Sequence, residues 1–580
     1  MSPTPSGSLR RSQTRPDFHA TQIREFRIGT ASSEYAARSS LHHGSWVRRL
    51  IAARSEPVDS TRNLSRFNSQ LERSFAVNVV TPLKSSLGPA ESFLNRTHRL
   101  LIGGEWVDAK SGETFETLNP ATEETLASVA LGDAADVDAA VAAARKAFDE
   151  GPWPSMLPAE RQRILQKLGD LIEENGEELA WIESLDNGKP VKVARVADIP
   201  LTADLFHYMA AHTRTREGHV VPTSDFAIPG AEFHAYTVEE PVGVVGLITP
   251  WNYPLLIAAG WQMAGALAAG NTVVLKPSEV TPLSIIRFGE LALEAGVPPG
   301  VINIVHGYGT GAGARLVEHP QVDKIGFTGS TRTGRGLLKS VADSNLKKVT
   351  LELGGKSPDI IFADADLEAA IAGVAMGVFF NQGECCCAGT RIYVEDKVYD
   401  RFVAGMVEEA NKIRLGSGQE PNTDMGPLVS QNQLNTVMGY IDAGKSDGAT
   451  VAVGGARASD KGYFVQPTLF TDVDPNMSIV REEIFGPVAS IERFSDIDDV
   501  VRRANDSDYG LGAGIWTTDV RKTHHVAKAI RAGTVFVNCY NVFDAAMPFG
   551  GYKQSGWGRN RGRQAFEAFT ETKAVYVKLN

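Results

Sequence analysis

The sequence predicts an α/β protein whose core is a parallel sheet covered by helices on both faces. From residue 241 onward, short apolar runs of strand type alternate with longer stretches of helical periodicity. The strand-type runs are nearly continuous in Val, Ile and Leu, which is typical of strands buried on both faces. The chain has 580 residues, with 43% hydrophobic and 22% charged content, and can bury the large core of two or three domains.

The elements before residue 241 are simpler. His98–Val107 predicts a β-hairpin, because apolar runs flank a Gly103-Gly104 turn. The next two stretches, 134–149 and 159–175, carry apolar residues at helical spacing with charged residues on the opposite face. Neither helix carries obvious chemistry.

Five strands and four connecting helices make up the predicted parallel sheet. The strands are expected at 242–249, 272–276, 301–305, 324–327 and 348–353, and the helices at 255–269, 281–295, 310–318 and 332–341. Ligands on such sheets bind at the carboxyl ends of the strands. The residues that follow each strand are therefore the first candidates for a functional site.

Polar residues follow four of these five strands. They are Asn252 between two prolines, Lys276 with Glu279, the Gly329-Ser330 turn that opens a helix, and Glu352. A helix N-terminus after a Gly/Ser turn suits a pyrophosphate. Each feature alone is compatible with a turn asparagine, a surface ion pair, a helix cap or a solvated glutamate. Their occurrence together at strand ends favours a ligand site.

Three of the four cysteines are consecutive, Cys385-Cys386-Cys387. Adjacent cysteines cannot easily converge on one zinc ion, and four cysteines cannot staple a chain of this size, so we expect neither a metal site nor a disulfide framework. A buried run of small apolar side chains remains an alternative. A thiol and the Glu352 carboxylate, each beside glycines, indicate nucleophilic catalysis.

Charge and hydropathy exclude several classes of partner. A net charge of −11 disfavours nonspecific nucleic-acid binding, and no 18-residue apolar run free of charge predicts a membrane span. We expect a soluble protein in a reducing compartment, the cytoplasm. Residues 1–80 differ, with twelve Arg, no Lys and six acidic residues. The composition of this Ser- and Arg-rich segment predicts disorder. The segment is either an organelle transit segment, which would imply location in an organelle matrix, or upstream sequence that a misplaced start codon adds to the protein.

Seven motifs, in order, resemble those of NAD(P)-dependent aldehyde dehydrogenases over residues 96–580. They are Pro250-Trp251-Asn252, Lys276-Pro277-Ser278-Glu279, Phe327-Thr328-Gly329-Ser330, Leu351-Glu352-Leu353-Gly354-Gly355, Gly383-Glu384-Cys385-Cys386, Glu482-Glu483-Ile484-Phe485-Gly486-Pro487 and Pro548-Phe549-Gly550-Gly551. The resemblance implies that family's fold, with a Rossmann-like NAD-binding domain (96–222 and 242–354), an α/β catalytic domain (355–554) and a small β oligomerisation element (223–241 and 570–580). Residues 1–95 are expected to be a disordered or leader extension before these domains, and the family implies a homodimer or homotetramer.

The same resemblance assigns roles to individual residues. It implies that Cys386 is the nucleophile, that Glu352 is the general base, and that the Asn252 amide and the Cys386 N–H hold the oxyanion. The implied cofactor-binding residues are Ile248, Trp251, Lys276, Glu279, Gly329, Ser330, Gly334, Glu483 and Phe485. A carboxylate at Glu279 would repel a 2′-phosphate, which favours NAD, although Lys276 leaves NADP possible.

The expected substrate is an aldehyde with an aromatic group, such as phenylacetaldehyde. Residues that match the family's substrate tunnel are Tyr253, Phe380, Tyr540, Phe543 and Phe549, and the segment 538–546 is similar to phenylacetaldehyde dehydrogenases. Betaine aldehyde or an aminoaldehyde, held by cation–π attraction, and a broad aliphatic specificity are the alternatives. A catalytically silent NAD-binding scaffold is a remote one.

Two departures from the family pattern bear on the site. Asn560 follows Arg559 where an acidic residue is common, and the Asn252-to-Lys276 interval is one residue longer than usual, with Gly260 the expected insertion. An extra residue rotates the following part of a helix by about 100° unless a bulge absorbs it.

Overall fold

The structure is a computed structural model and describes residues 86–224 and 228–580. The segment 1–80, with its predicted disorder, lies outside the described residues. No helix of the described part is both long and apolar enough to cross a membrane.

Nineteen strands are found in the described residues. They are β1 Leu100–Ile102, β2 Glu105–Val107, β3 Thr114–Leu118, β4 Thr125–Ala130, β5 Phe233–Pro241, β6 Val244–Ile248, β7 Thr272–Lys276, β8 Ile302–Ile304, β9 Lys324–Thr328, β10 Lys348–Glu352, β11 Pro358–Ile361, β12 Arg391–Glu395, β13 Thr450–Val453, β14 Thr468–Thr471, β15 Val488–Phe494, β16 Gly512–Trp516, β17 Thr534–Val537, β18 Gly556–Trp557 and β19 Thr570–Lys578.

Helices cover the sheets. The α-helices are Glu91–Leu94, Ala134–Asp149, Pro158–Glu174, Gly176–Asn187, Val191–Val193, Ile199–His212, Ala264–Ala269, Leu283–Ala295, Ala314–Glu318, Thr331–Asp343, Leu367–Phe379, Tyr399–Lys412, Gln431–Ser446, Ser478–Arg481, Ile497–Asn505, Val520–Ala529 and Gly562–Glu567. The π-helical segments are Ala194–Asp198, Leu256–Met263 and Gly309–Gly313. The 3₁₀ turns are Gly88–Ala90, Phe380–Gly383, Asp396–Val398 and Lys553–Ser555.

The first sheet has eight strands in the order β18-β10-β9-β6-β7-β8-β1-β2. Its five central strands are parallel, and they are the five predicted from the sequence, each within two residues at either end. Antiparallel neighbours close both edges: β1, from the predicted hairpin, pairs with β8, and β18 pairs with β10. The carboxyl ends of β6, β7, β9 and β10 therefore lie along one edge.

The second sheet has seven strands in the order β13-β14-β15-β12-β11-β16-β17. All its neighbours are parallel except β13 and β14. Separate apolar clusters pack on its two faces, around Phe402 and Trp516 on one side and Phe362 and Val500 on the other. These mixed, mostly parallel sheets with helices confirm the α/β class. The domain bounds remain a prediction.

The C-terminal strand β19 pairs with β5 along its whole length, from Thr570 with Pro241 to Lys578 with Phe233. Residues 219–221 add backbone hydrogen bonds to the other side of β5, from Val221 to Ala235 and from Thr237 to His219. Tyr576, Val577 and Leu579 stay exposed on this ribbon. The ribbon coincides with the expected oligomerisation element.

The expected insertion at Gly260 lies within the π-helical segment Leu256–Met263. A π-turn holds one more residue than an α-turn, so it absorbs an extra residue without rotating the helix beyond it. Trp261 consequently faces the cysteine loop, within the same apolar cluster as Cys385 and Cys387. The rotation that the extra residue could have caused is avoided.

Candidate active site

The three cysteines lie on a tight loop that follows the helix Leu367–Phe379. Asn381 and Gln382 in this loop have positive φ angles of 52° and 58°, which non-glycine residues adopt at some expense in free energy. Cys385 and Cys387 are buried, with their sulfurs 3.5 Å apart, whereas Cys386 is partly exposed. Cys386 is therefore the accessible thiol of the three. Within the described residues, no group of three or more His, Cys, Asp or Glu side chains is placed to hold a metal.

Asn252 is fixed to this loop by hydrogen bonds at both ends of the residue. Its Nδ2 donates to the Glu384 carbonyl at 3.0 Å, and its own carbonyl accepts from Asn381 Nδ2 at 3.0 Å. An amide nitrogen carries two hydrogens, so the second remains available to a ligand. The Asn252 amide thus lies beside the segment that carries Cys386, as an oxyanion donor requires.

Lys189 is a site residue that the sequence analysis missed. Its side chain is fully buried, forms an ion pair with Asp198, and donates to the Asn252 carbonyl at 3.0 Å. Its ammonium also lies 4.3 Å from the centre of the Tyr253 ring. A lysine in Asn187-Gly188-Lys189-Pro190, 63 residues before Asn252, gives no local signal of this contact.

Glu352 ends β10 with its carboxyl group buried. Neither carboxylate oxygen has a hydrogen-bond partner, and an added Cβ on Gly550 would lie 2.8 Å from Oε1. Burial raises the pKa of Glu352 well above its ordinary value, opposed by the charges of Arg559 and Arg561. An unpartnered buried carboxyl group with a raised pKa is suited to accept a proton during a reaction.

Gly354 and Gly355 allow two backbone approaches that a side chain would block. An added Cβ would meet the Glu483 carboxylate at 2.1 Å from Gly354, and the Cys386 carbonyl oxygen at 2.1 Å from Gly355. The Gly355 N–H donates to Glu483 Oε1 at 2.9 Å. The glycines of the Leu351–Gly355 motif therefore bring the cysteine loop and Glu483 against the end of β10.

The three thiols share hydrogen bonds that shift their pKa values in different directions. Hydrogen bonds with Cys385 and Cys387, together with burial, raise the pKa of Cys386 well above its usual value. Hydrogen bonds from Cys386, Cys387 and the Tyr253 hydroxyl lower the pKa of Cys385. The two thiols differ in exposure: Cys385 is buried, so a thiolate there could not reach a substrate, whereas Cys386 is partly exposed. Cys386, with its raised pKa, therefore holds its proton more tightly than an ordinary thiol, and that proton must leave when the sulfur reacts.

Lys276, at the end of β7, has three hydrogen-bond acceptors. Its Nζ donates to the carbonyls of Pro277 at 2.7 Å and Gly307 at 2.8 Å, and to Glu279 Oε2 at 3.2 Å. An ammonium has three N–H donors, so all are engaged. Burial lowers the pKa of Lys276, opposed by Glu279. The Glu279 carboxylate, more exposed than Lys276, is the group an approaching ligand meets.

Ser330 caps the helix Thr331–Asp343 at the end of β9. Its hydroxyl accepts from the Thr333 N–H at 3.2 Å, and the Gly329 N–H donates to the Glu352 carbonyl at 3.0 Å. Gly334 packs against Leu353 so closely that an added Cβ would lie 2.7 Å from it. This exposed helix N-terminus lies next to the end of β10 and can hold an anionic group.

The remaining cofactor candidates meet near the end of β6. The Trp251 and Phe485 rings make an edge contact with centroids 5.1 Å apart, although 234 positions separate them in the sequence. Ile248, half-buried, packs on the core beneath this sheet edge. Burial raises the pKa of Glu483 to about 7, while the Gly355 N–H and Lys356 oppose that rise.

Three of the five expected tunnel aromatics share one apolar cluster with Cys386. They are Tyr253, Phe543 and Phe549, joined by Trp261, which the sequence analysis missed as a site residue. Trp261 lies 4.9 Å from Phe549 and 6.2 Å from Phe543, and the Phe543 and Phe549 rings meet edge to face at 5.8 Å.

The other two aromatics lie elsewhere. Tyr540 is 1% exposed, and its hydroxyl donates to the Cys387 carbonyl at 2.7 Å, so it supports the cysteine loop from behind. Phe380 is half-buried at the start of the 3₁₀ turn, outside the Trp261 cluster. Neither residue belongs to the apolar cluster that contains Cys386, and their place in the tunnel stays a prediction.

Asn560 pairs with Phe549 through two backbone hydrogen bonds of 2.7 Å. Its side chain is buried, and Nδ2 has no hydrogen-bond partner. A neutral amide here supplies no carboxylate to relay protons to Glu352. The charged residues that act on Glu352 are Arg559 and Arg561, the latter another residue missed from the sequence.

Comparisons with known proteins agree with this geometry. A model of the aldehyde dehydrogenase family matches residues 106–575. The chain is 48% identical to the mitochondrial benzaldehyde dehydrogenase of Antirrhinum majus over 481 residues, which is 83% of this chain and 89% of the relative.

Two solved structures share the fold. An NAD⁺ complex of aldehyde dehydrogenase from Bacillus cereus aligns with a TM-score of 0.83 and 50% identity, over 86% of this chain and all of that one. An indole-3-acetaldehyde dehydrogenase in complex with NAD⁺ aligns with a TM-score of 0.81 and 42% identity over the same shares. The chain therefore belongs to the aldehyde dehydrogenase family, which consists of NAD(P)-dependent oxidoreductases.

Proposed function

We propose that this enzyme oxidises an aldehyde to the carboxylic acid with NAD, through a thioester on Cys386. The observation that carries the proposal is one partly exposed thiol among three, on a loop to which the Asn252 amide is hydrogen-bonded. A buried, unpartnered Glu352 lies three residues before Gly355, whose backbone packs against the Cys386 carbonyl. These are the nucleophile, oxyanion donor and base that acyl chemistry on a thiol requires.

The first step is addition of the Cys386 sulfur to the aldehyde carbon. Because the pKa of Cys386 is raised, its proton must leave as the sulfur attacks, and water at this partly exposed residue carries that proton to solvent. The new C–S bond turns the carbonyl oxygen into an oxyanion. Asn252 Nδ2 and the Cys386 N–H hold that charge, and loss of one such donor typically slows a reaction by about 100- to 1000-fold.

The cofactor residues fit NAD. The N-terminus of the helix Thr331–Asp343, with Gly329 and Ser330, would hold the pyrophosphate. Lys276 and Glu279 would bind the adenosine ribose, and Glu483 would bind the nicotinamide ribose. The residues expected around the cofactor are Ile248, Trp251, Gly334 and Phe485. The Glu483 carboxylate lies directly against Gly354, and it can do so because Gly354 has no side chain. NAD, when bound, accepts the hydride that leaves the tetrahedral carbon. Glu352 then takes a proton from the water that hydrolyses the thioester.

Cofactor choice gives a first prediction. Replacing Glu279 with Gln should raise kcat/KM with NADP relative to NAD by about tenfold, because removal of a carboxylate near the ribose removes repulsion of the 2′-phosphate. Steady-state kinetics with both cofactors measures the ratio. Glu294→Gln, the same charge change on an exposed residue, is the control. An unchanged ratio would place the adenosine ribose away from Glu279.

The favoured substrate is an aldehyde carrying an aromatic group, such as phenylacetaldehyde. Tyr253, Trp261, Phe543 and Phe549 form an apolar, ring-rich wall beside Cys386, on which a flat group can pack. A cationic substrate such as betaine aldehyde is disfavoured, because Arg561 already lies within 5.2 Å of the centres of three of these rings. A broad aliphatic specificity is the second candidate, supported by Leu201, Leu205 and Leu256 nearby.

NADH formation at 340 nm tests the function. We expect the purified protein with NAD to oxidise phenylacetaldehyde with higher kcat/KM than hexanal, acetaldehyde or betaine aldehyde. Equal rates with hexanal would favour the aliphatic candidate. Absence of turnover with every aldehyde, despite NAD binding, would contradict the proposal and favour a catalytically silent scaffold.

We also propose a homodimer or homotetramer in which β19 and β5 form the contact between subunits. Exposed apolar side chains on a two-stranded ribbon support this, since such edges readily add strands. A cytoplasmic location is proposed, or an organelle matrix if residues 1–80 are a transit segment.

A further inference from the structure

Arg561 is a buried cation without a carboxylate partner. The residue is 3% exposed, and its buried Nε has no hydrogen-bond partner. The hydrogen bond it does make runs from Nη1 to the Asp544 carbonyl at 3.4 Å. Among the described residues, no carboxylate forms an ion pair with it. Burying a guanidinium with so few partners is unfavourable, so a protein that keeps one there usually uses it.

The backbone holds Arg561 in a strained conformation. Its φ and ψ angles are 64° and 173°, a region that L-residues rarely adopt. The flanking residues fix this geometry: Asn560 is hydrogen-bonded to Phe549 in both directions, and the Gly562 N–H donates to the Ala545 carbonyl at 2.8 Å. The Arg561 side chain points into the protein interior, away from solvent.

That direction is the substrate side of the catalytic loop. The guanidinium carbon lies 4.9 Å from the Trp261 ring centre, 4.7 Å from Phe543 and 5.2 Å from Phe549. These rings belong to the apolar cluster that contains Cys386. The charges of Cys387, Glu352, Asp544 and Cys386 act on Arg561. Arg561 lines a small cavity of about 10 Å³ together with Trp261 and Phe543. The other walls are Leu201, Leu205, Leu256, Ala545 and the exposed residue Asp544.

We propose that Arg561 binds a carboxylate carried by the substrate at the end away from its aldehyde group. The preferred substrates are then aldehyde acids, such as formylbenzoates or semialdehydes of dicarboxylic acids. A guanidinium offers a planar pair of donors that matches a carboxylate, and the surrounding rings strengthen that contact by excluding water. The cavity is about the size of one water molecule, so a carboxylate would enter it only if the Phe543 ring shifted. This inference rests on the proposed oxidation of aldehydes at Cys386.

Matched substrate pairs test the inference. The aromatic pair is 4-formylbenzoate and its methyl ester, and the aliphatic pair is adipic semialdehyde and hexanal. With the full chain and NAD, we expect kcat/KM to favour the carboxylate by about 10- to 100-fold in the pair that the enzyme accepts, the usual effect of one hydrogen-bonded charge. A preference for the neutral partner in both pairs would overturn the inference.

Arg561→Met should reduce kcat/KM for the carboxylate at least tenfold more than for its neutral partner. Arg563→Met, which removes the same charge from an exposed residue paired with Glu567, should leave the ratio unchanged. An equal loss with both partners would mean that Arg561 acts on Glu352 or on folding, and would overturn the inference.

A binding measurement tests the inference on the wild-type protein, without variants and without catalysis. Isothermal titration calorimetry on the NAD-bound wild-type protein should show terephthalate binding at least tenfold more tightly than its monomethyl ester. Equal affinities would overturn the inference. Oxidation of the aliphatic pair alone would contradict the proposal of an aromatic substrate. The preference for the carboxylate within the aliphatic pair would still test the role of Arg561.

Discussion

Cys386→Ala is expected to lower kcat with any aldehyde by about 10⁴-fold or more, because without the sulfur no C–S bond forms and hydride transfer has no tetrahedral precursor. Cys385→Ala and Cys387→Ala are the matched controls, since each removes one thiol from the same loop. We expect both to keep activity within about tenfold of wild type. NADH production at saturating aldehyde measures all three.

The hydrogen bonds among the thiols make this comparison informative. They lower the pKa of Cys385 and raise that of Cys386, so charge alone would favour Cys385 as nucleophile. Cys385 is 6% exposed, however, and hydrogen-bonded to Tyr253, whereas Cys386 is the partly exposed thiol. Retained activity in Cys386→Ala with loss in Cys385→Ala would show that the nucleophile is Cys385. NAD binding should persist in each variant.

Glu352→Gln is expected to slow steady-state turnover by about 10²- to 10⁴-fold while sparing a first burst of NADH. The amide is isosteric and fits the tight space beside Gly550, so packing is preserved. Thioester hydrolysis needs the base in every cycle, so the burst should be followed by a slow phase. Stopped-flow absorbance resolves the two phases. Loss of NAD binding in the variant would place Glu352 outside the chemistry.

The pH dependence of the same variant supplies an independent control. Burial raises the pKa of Glu352, so its ionised fraction grows over a higher pH range than that of an ordinary glutamate. The steady-state rate of the wild type should therefore increase with pH across the range in which the protein stays folded. In Glu352→Gln this increase should disappear from the slow phase. A wild-type rate that falls over that range would contradict the assignment.

Local patterns predicted the parallel sheet well. Strands β6 to β10 and their helices have the expected order because hydrophobic period and strand length are properties of short segments. Strand ends then predicted a site, because parallel strands place their carboxyl ends at one edge. Asn252, Lys276, Ser330 and Glu352 follow from that rule without knowledge of any contact.

Contacts between distant segments could not be predicted in this way. Strand β18 joins β10 from some 200 positions away, and Lys189 reaches Asn252 from another helix region. Arg561 has a positive φ that its residue type does not predict, although the adjacent Gly562 has one as well. The hydrogen bond from the Tyr540 hydroxyl to the Cys387 carbonyl likewise joins segments 153 positions apart, which no local pattern predicts.

The nucleophile assignment is tested most directly by trapping the thioester. Glu352→Gln protein mixed with NAD and phenylacetaldehyde, quenched in acid during the burst and digested, can be analysed by mass spectrometry. The account predicts one phenylacetyl group per active site, attached to Cys386. An acyl group on Cys385 or Cys387, or NADH formation with no acyl group on any cysteine, would contradict it.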